Sequence, residues 1–119
     1  MVVDLNERYI RNIPALSEHE CAQLLQKTVA IVGCGGLGGH LVELMARIGV
    51  GELVVIDGDC FELSNLNRQL LSETDCIGFS KAQAAAERIR RINPDVKVRV
   101  YQTMLDAENA DIANKVHPM

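Results

Sequence analysis

Tryptophan is absent from this chain of 119 residues, and phenylalanine and tyrosine contribute only two residues each. The hydrophobic content of 48% is therefore almost entirely aliphatic, and a core must be built from Val, Ile, Leu and Ala. Positive charge is also short. Twelve Lys and Arg stand against sixteen Asp and Glu, a formal net charge of −4. That balance argues against a general nucleic-acid-binding surface, so no direct nucleic-acid contact is expected. No apolar run reaches the ~18 residues of a membrane span. The opening stretch Met1-Val2-Val3-Asp4-Leu5-Asn6-Glu7 is not a signal peptide, and the cytoplasm is the expected location. Cys21, Cys34, Cys60 and Cys76 have no C-x-x-C spacing, which indicates neither zinc nor a disulfide framework, and no metal ligand is assigned. His19, His40 and His117 have no ligand spacing either. A chain of this length forms a single core. Repeats, low-complexity segments and clear linkers are all lacking.

What is present is concentrated in a few motifs. Thr28-Val29-Ala30-Ile31-Val32 is a continuous apolar, β-branched run, the pattern of a strand buried on both faces. The loop Gly33-Cys34-Gly35-Gly36-Leu37-Gly38 follows it. Gly33 and Gly35 allow a tight turn and a close approach of phosphate to backbone, and Gly38 lets the next helix lie near the strand. That helix is expected from about Gly36 to Ile48, with Leu37, Leu41, Leu44, Met45 and Ile48 on one apolar face. Its N-terminus offers free N–H groups and a partial positive charge to an anion. Cys34 sits where a helix N-terminus can lower a thiol pKa, but a ligand in the loop would cover it. Glu52-Leu53-Val54-Val55-Ile56 is a second strand, and Asp57 stands at its end. Asp57 follows Gly33 by about 24 residues, near the ~20 expected of a ribose-binding acid.

The rest of the chain supports these parts. Residues 1–27 read as a helical arm: an early helix with Arg8, Tyr9 and Arg11, a break at Asn12-Ile13-Pro14, and a helix opened by the capping box Ser17-Glu18-His19-Glu20. Residues 28–119 read as the nucleotide-binding domain. Ser80 caps a helix from Lys81 to Ile92 with Ala82, Ala85, Ala86, Ile89 and Ile92 on its apolar face, and Asn93-Pro94 stops it. Val96, Val98 and Val100 alternate with Lys97, Arg99 and Tyr101 in a half-exposed strand, a candidate edge. A last helix is expected from Asp106 to about Val116. Met104 and Leu105, just past the third strand, read as core residues within reach of an adenine. The order strand, helix, strand, connector, helix, strand, helix is the first half of an α/β, Rossmann-like, doubly wound and mainly parallel sheet. The connector from Gly58 to Phe79 is long for such a fold, and long loops in compact domains usually carry function. It holds Asp59, Asn65, Arg68 and Gln69.

An NAD-dependent dehydrogenase would use the glycines and Asp57 but leaves Arg68 and Lys81 without a task. Those two cations point to a triphosphate that is cleaved. The combination of Arg8-Tyr9-Ile10-Arg11, the loop Gly33 to Gly38, Gly49-Val50-Gly51, Asp57-Gly58-Asp59, Ser64-Asn65-Leu66-Asn67-Arg68-Gln69, Gly78-Phe79-Ser80-Lys81 and Ile92-Asn93-Pro94-Asp95 resembles the ThiF/MoeB/HesA family. Its members are adenylating enzymes similar to ubiquitin-activating enzymes, and the likeness runs from about Arg8 to the end. The resemblance implies ATP with Mg2+ as cofactors and adenylation of a carboxylate, often the C-terminal glycine of a ubiquitin-like sulfur-carrier protein. It also implies that Gly33, Gly35, Gly36 and Gly38 cradle phosphate and that Asp57 holds the ribose. Asn65, Arg68 and Lys81 would contact the phosphates, with Asp59 and Gln69 beside them, and Arg11 would reach across a homodimer into the partner's site. The family's magnesium-binding Asp is expected beyond residue 119, as are its zinc-binding cysteine pairs and transfer cysteine. The chain would then be the N-terminal part of a longer enzyme, inactive by itself. A non-catalytic nucleotide-binding or dimerisation module stands as a further alternative.

Overall fold

The computed structural model describes residues 7–109 and Asp111. A short 3-10 helix, Glu7–Asn12, leads to α1, Glu18–Leu24. Then come β1, Thr28–Val32; α2, Gly36–Ile48; β2, Glu52–Ile56; α3, Lys81–Ile92; and β3, Lys97–Tyr101. The three strands form one parallel sheet in the order β1-β2-β3. Thr28 is paired with Glu52 and Glu52 with Lys97, so the C-terminal ends of all three strands finish level at Val32, Ile56 and Tyr101. This is an α/β, Rossmann-like arrangement, and the levelled strand ends are what position a site.

Local chemistry explains the boundaries. Ser17 Oγ accepts the Glu20 N–H while Glu20 Oε1 accepts the Ser17 N–H, a complete capping box opening α1. Ser80 Oγ accepts the Gln83 N–H to open α3, and Asn93 leaves the helical region to close it. Ala82, Ala85, Ala86 and Ile89 are fully buried, so the expected face of α3 is the one packed on the sheet. Short side chains there let the helix lie close to Leu53 and Val55 of β2, which share its core. β3 is an edge among the described strands, as its alternation predicts.

Three expectations differ from the structure. The face of α2 turned to the core is Gly39, Val42 and Ala46, with Leu41 and Met45 at its margin. Leu37 is 74% exposed and Leu44 60%, and Ile48 is also exposed. Bulky side chains dominate the periodicity, but small ones allow a helix to approach a sheet, and the small stripe is the packed one. β1 is not buried on both faces: only Ile31 is buried, Thr28, Val29 and Ala30 are half-buried, and Val32 is exposed. Of the helix expected from Asp106 to about Val116, residues 107–109 form a turn closed by Asp106, whose carboxylate accepts the Glu108 and Asn109 N–H groups. Most of the remainder lies outside the described residues, as do His117, Leu5 and the start of the arm.

Candidate functional site: a glycine loop at the strand ends

The loop between β1 and α2 takes its shape from two glycines in the left-handed region, Gly33 at φ 87° and Gly36 at φ 48°. The Gly33 N–H donates to Ile56 O at 2.8 Å, which ties the loop across to β2. Gly35 is extended rather than left-handed, so it serves differently from the expected turn glycine. The Gln69 amide occupies the space its side chain would fill: a Cβ there would lie 2.6 Å from Oε1. At Gly38 a Cβ would lie 1.7 Å from the Gly33 carbonyl oxygen, so the close approach required there is between helix and loop. Gly35 is the N-cap of α2 and supplies no side-chain cap. Of the first N–H groups of the helix, that of Gly38 donates to Gly35 O at 3.0 Å, and an uncapped helix N-terminus of this kind can accept an anion.

Asp57 is buried at the end of β2 and holds this loop directly. Its Oδ2 accepts the Cys34 N–H at 2.7 Å and its Oδ1 accepts the Asp59 N–H at 2.8 Å. Each carboxylate oxygen has a second lone pair, so two further hydrogen bonds remain open to a ligand. Cys34 itself is buried, and its thiol is pushed up to about 12 by burial first and by the Asp57 charge second, with Lys81 acting in the other direction. The helix-terminus effect that could have lowered it loses to desolvation.

Lys81 is only 8% exposed, and its ammonium lies 5.8 Å from the centre of the Phe61 ring. The Lys81 N–H donates to Asp59 O, which joins the start of α3 to the Asp57-Gly58-Asp59 turn. Phe61, overlooked in the sequence reading, is buried and pinned by bonds from its N–H to Phe79 O and from the Gly78 N–H to its own carbonyl. A lone Phe two residues past an acidic turn was the available signal. Asn65 is buried, with Oδ1 accepting the Glu62 N–H at 2.8 Å. Arg68 is exposed on the connector, where Nη1 donates to Ser64 O at 2.8 Å and to Asn67 Oδ1 at 3.1 Å. Asp59 is exposed beside Asp57.

At the levelled strand ends Gly33, Asp57 and Asp59 border a cleft of about 180 Å3 lined also by Val32, Ile56, Thr103, Met104 and Leu105; Asn65, Arg68, Gln69 and Lys81 are not among its lining residues. Met104 is 59% exposed and belongs to this cleft rather than to the core. A larger cavity of about 500 Å3 lies elsewhere, between Leu70, Phe79 and the outer side of α3, and includes none of the loop residues. Arg11 is not at the cleft. Its 3-10 helix docks on this chain's own domain at the far ends of α2 and α3, where Asn12 Nδ2 donates to Ile48 O and Arg8 Nη1 to Ile92 O. The described part of the arm thus docks on its own chain. Among the described residues no three His, Cys, Asp or Glu side chains come together as a metal site.

A parallel sheet whose first strand runs through a glycine loop into a helix, with an acid at the end of the second strand, defines a Rossmann-like α/β protein. Within that class the chain belongs to the ThiF family, whose model matches residues 7–117. It is 41% identical over 105 residues to the SAMP-activating enzyme E1 of Haloferax volcanii, covering 87% of this chain and 39% of that protein. It is 37% identical over 106 residues to the sulfur carrier protein adenylyltransferase of Thermus thermophilus, with the same shares of 87% and 39%. Among solved structures it resembles the E. coli tRNA N6-threonylcarbamoyladenosine dehydratase in complex with ATP, at a TM-score of 0.90 and 30% identity over 98% of this chain and 49% of that one. The chain thus spans less than half the length of these proteins.

Proposed function

We propose that this chain is the nucleotide-binding part of an ATP-dependent adenylyltransferase of the ubiquitin-activating type. Its substrate would be a carboxylate, the C-terminal glycine of a ubiquitin-like sulfur-carrier protein, and its by-product pyrophosphate. The observation that carries this reading is Lys81, a buried ammonium set between the glycine loop and the connector, which a dinucleotide site does not call for. The names of the relatives from Haloferax and Thermus support the same activity, and the dehydratase structure with bound ATP supports the nucleotide.

In this reading the substrate carboxylate oxygen attacks the α-phosphorus of ATP. A new O–P bond forms, the bond to the pyrophosphate oxygen breaks, and pyrophosphate leaves with the electron pair. The chain's task is to position and to stabilise charge rather than to move a proton. Gly33, Gly35, Gly36 and Gly38 shape a cradle in which the N–H groups at the start of α2 meet phosphate. Asp57 accepts the ribose hydroxyls with its open lone pairs, and Asp59 and Gln69 flank the nucleotide. Asn65 has its Nδ2 donors for phosphate because its Oδ1 is engaged by Glu62. Arg68 has Nε and Nη2 to offer while Nη1 stays on the connector. Lys81, poorly solvated, gains most when the leaving group develops charge. Mg2+ is the expected companion of ATP and would supply further charge neutralisation.

The division into an arm, 1–27, and a nucleotide-binding domain, 28–119, and a cytoplasmic location belong to the same reading. No described helix is long and apolar enough to cross a membrane. The assembly we propose is a homodimer with Arg11 completing the partner's site. In support, Arg11 lies at the other end of α2 from the loop, and a helix of 13 residues is about 20 Å long.

ATP–pyrophosphate exchange tests the activity. Exchange that depends on the carrier's C-terminal carboxylate is the expected result. ATP binding with no exchange on any carboxylate would leave a non-catalytic module. Similarity to the tRNA dehydratase favours one second reading, in which the activated group belongs to a modified tRNA nucleoside. Exchange stimulated by such a tRNA and not by a carrier protein would select it.

A further inference from the structure

Three of the motifs in this sequence take no part in the nucleotide cleft: Arg8-Tyr9-Ile10-Arg11, Gly49-Val50-Gly51 and Ile92-Asn93-Pro94-Asp95. They meet at one point, where α2 and α3 end. Asn93 is fully buried there and Tyr9 is 2% exposed. Asn93 Nδ2 donates to Tyr9 Oη at 2.7 Å and to Ala46 O at 3.2 Å, and its Oδ1 accepts the Asp95 N–H at 3.2 Å. The Tyr9 ring lies on Gly49, whose φ is 103° and where a Cβ would stand 2.8 Å from Cε1. Any side chain at that position would push the ring away. Gly49 thus serves twice, as the left-handed residue ending α2 and as the floor beneath the ring.

The 3-10 helix that carries Tyr9 is six residues long and buries no other side chain. A helix that short has no stability of its own, so its orientation comes from its anchors: the buried Tyr9, with Asn12 on Ile48 O and Arg8 on Ile92 O at the rim. Arg11 follows two residues later and is exposed. We infer that Tyr9, Asn93 and Gly49 form a socket that positions Arg11, fixing the direction in which its guanidinium is presented to the nucleotide site of a second copy of this chain. This rests on the reading above in which Arg11 acts across a dimer. Tyr9 and Asn93 are positioning residues: neither touches nucleotide, and both act through Arg11.

The test is pyrophosphate exchange by the full protein carrying Tyr9→Ala, Arg11→Ala, or both. Displacing a catalytic group costs about tenfold to 100-fold, so Tyr9→Ala should lower kcat on that scale, with the KM for ATP changing much less. In the Arg11→Ala background Tyr9→Ala should add nothing, because the group it positions is gone. Mixing Tyr9→Ala subunits with Lys81→Ala subunits should restore exchange, as mixing Arg11→Ala with Lys81→Ala should, because each heterodimer then holds one intact site. Losses that multiply in the double variant, or recovery with Arg11→Ala but not with Tyr9→Ala, overturn the socket and leave the dimer reading standing. No recovery in the Arg11→Ala mixture, with subunit exchange confirmed, overturns both. Should Tyr9→Ala not fold, Tyr9→Phe keeps the ring and removes only the hydroxyl. Its smaller loss should likewise vanish in the Arg11→Ala background, and a loss that persists there overturns the inference.

Discussion

The two ends of α2 are built on opposite plans. At its start Gly35 provides no side-chain cap, and the helix opens from a loop of left-handed glycines. At its finish every kind of partner is recruited for the carbonyls. The Gly49 and Val50 N–H groups reach Met45 O, Asn93 Nδ2 reaches Ala46 O, and Asn12 Nδ2 reaches Ile48 O. A helix end left without protein partners is costly unless something else supplies them, and an anion at an N-terminus does so with the macrodipole in its favour. The closed end stabilises; in the proposed function the open end is kept for a ligand. Substitutions at the open end should therefore change ATP binding and turnover, and those at the closed end should change stability, reaching turnover only through the presentation of Arg11.

The largest expected effect is at the open end. Lys81→Met keeps most of the side-chain volume and removes the charge. Exchange should fall about 100-fold or more, the scale of losing one preorganised charge stabiliser, with ATP affinity falling less. Equal losses in affinity and rate would make Lys81 a ground-state phosphate contact only. Next is Asp57→Asn. The amide replaces one of the two oxygens that accept the Cys34 and Asp59 N–H groups, so loop and ribose contact are weakened together. ATP binding should weaken by roughly 1.5–3 kcal/mol, the worth of hydrogen bonds to a charged group, as calorimetry would measure. Unchanged affinity in the folded variant would place the ribose elsewhere.

These expectations also mark what a sequence can carry. The bounds of α2, Gly36 to Ile48, follow from the glycine before it and the Gly49 after it, and the alanine face of α3 follows from its spacing. The packed stripe of α2 did not, because Leu37 and Leu44 outweigh Gly39 and Ala46 in any hydrophobic pattern although the sheet admits only the small residues. The bond from Asp57 to the loop is invisible for another reason: its donor is the backbone of residue 34, whose side chain has no say in it. Tyr9 and Asn93 are 84 residues apart and no local rule joins them. Their motifs could be seen, but that they meet could not.

At the closed end, Asn93→Ala leaves Tyr9 Oη and Ala46 O without their donor and opens a small void. Unfolding should become easier by about 1–3 kcal/mol, the cost of stranding buried polar groups, seen as a lower Tm. ATP affinity of the protein that remains folded should hold. A large loss of affinity with Tm unchanged would reverse the division between the two ends. The smallest effect concerns reactivity. With its thiol at about 12, Cys34 should resist alkylation near neutral pH while exposed Cys60 reacts, and mass mapping after a short iodoacetamide pulse would read both. Rapid labelling of Cys34 would mean that the loop opens far enough to solvate it.

The central claim is that ATP occupies the open end of α2 at the strand termini. Amide NMR of the protein titrated with ATP, and separately with NAD, addresses it directly. The account predicts that the amides of Gly33 to Leu37 and of Asp57 shift with ATP and saturate at lower concentration than with NAD. If those amides stay in place at saturating ATP, or saturate first with NAD, the account is contradicted.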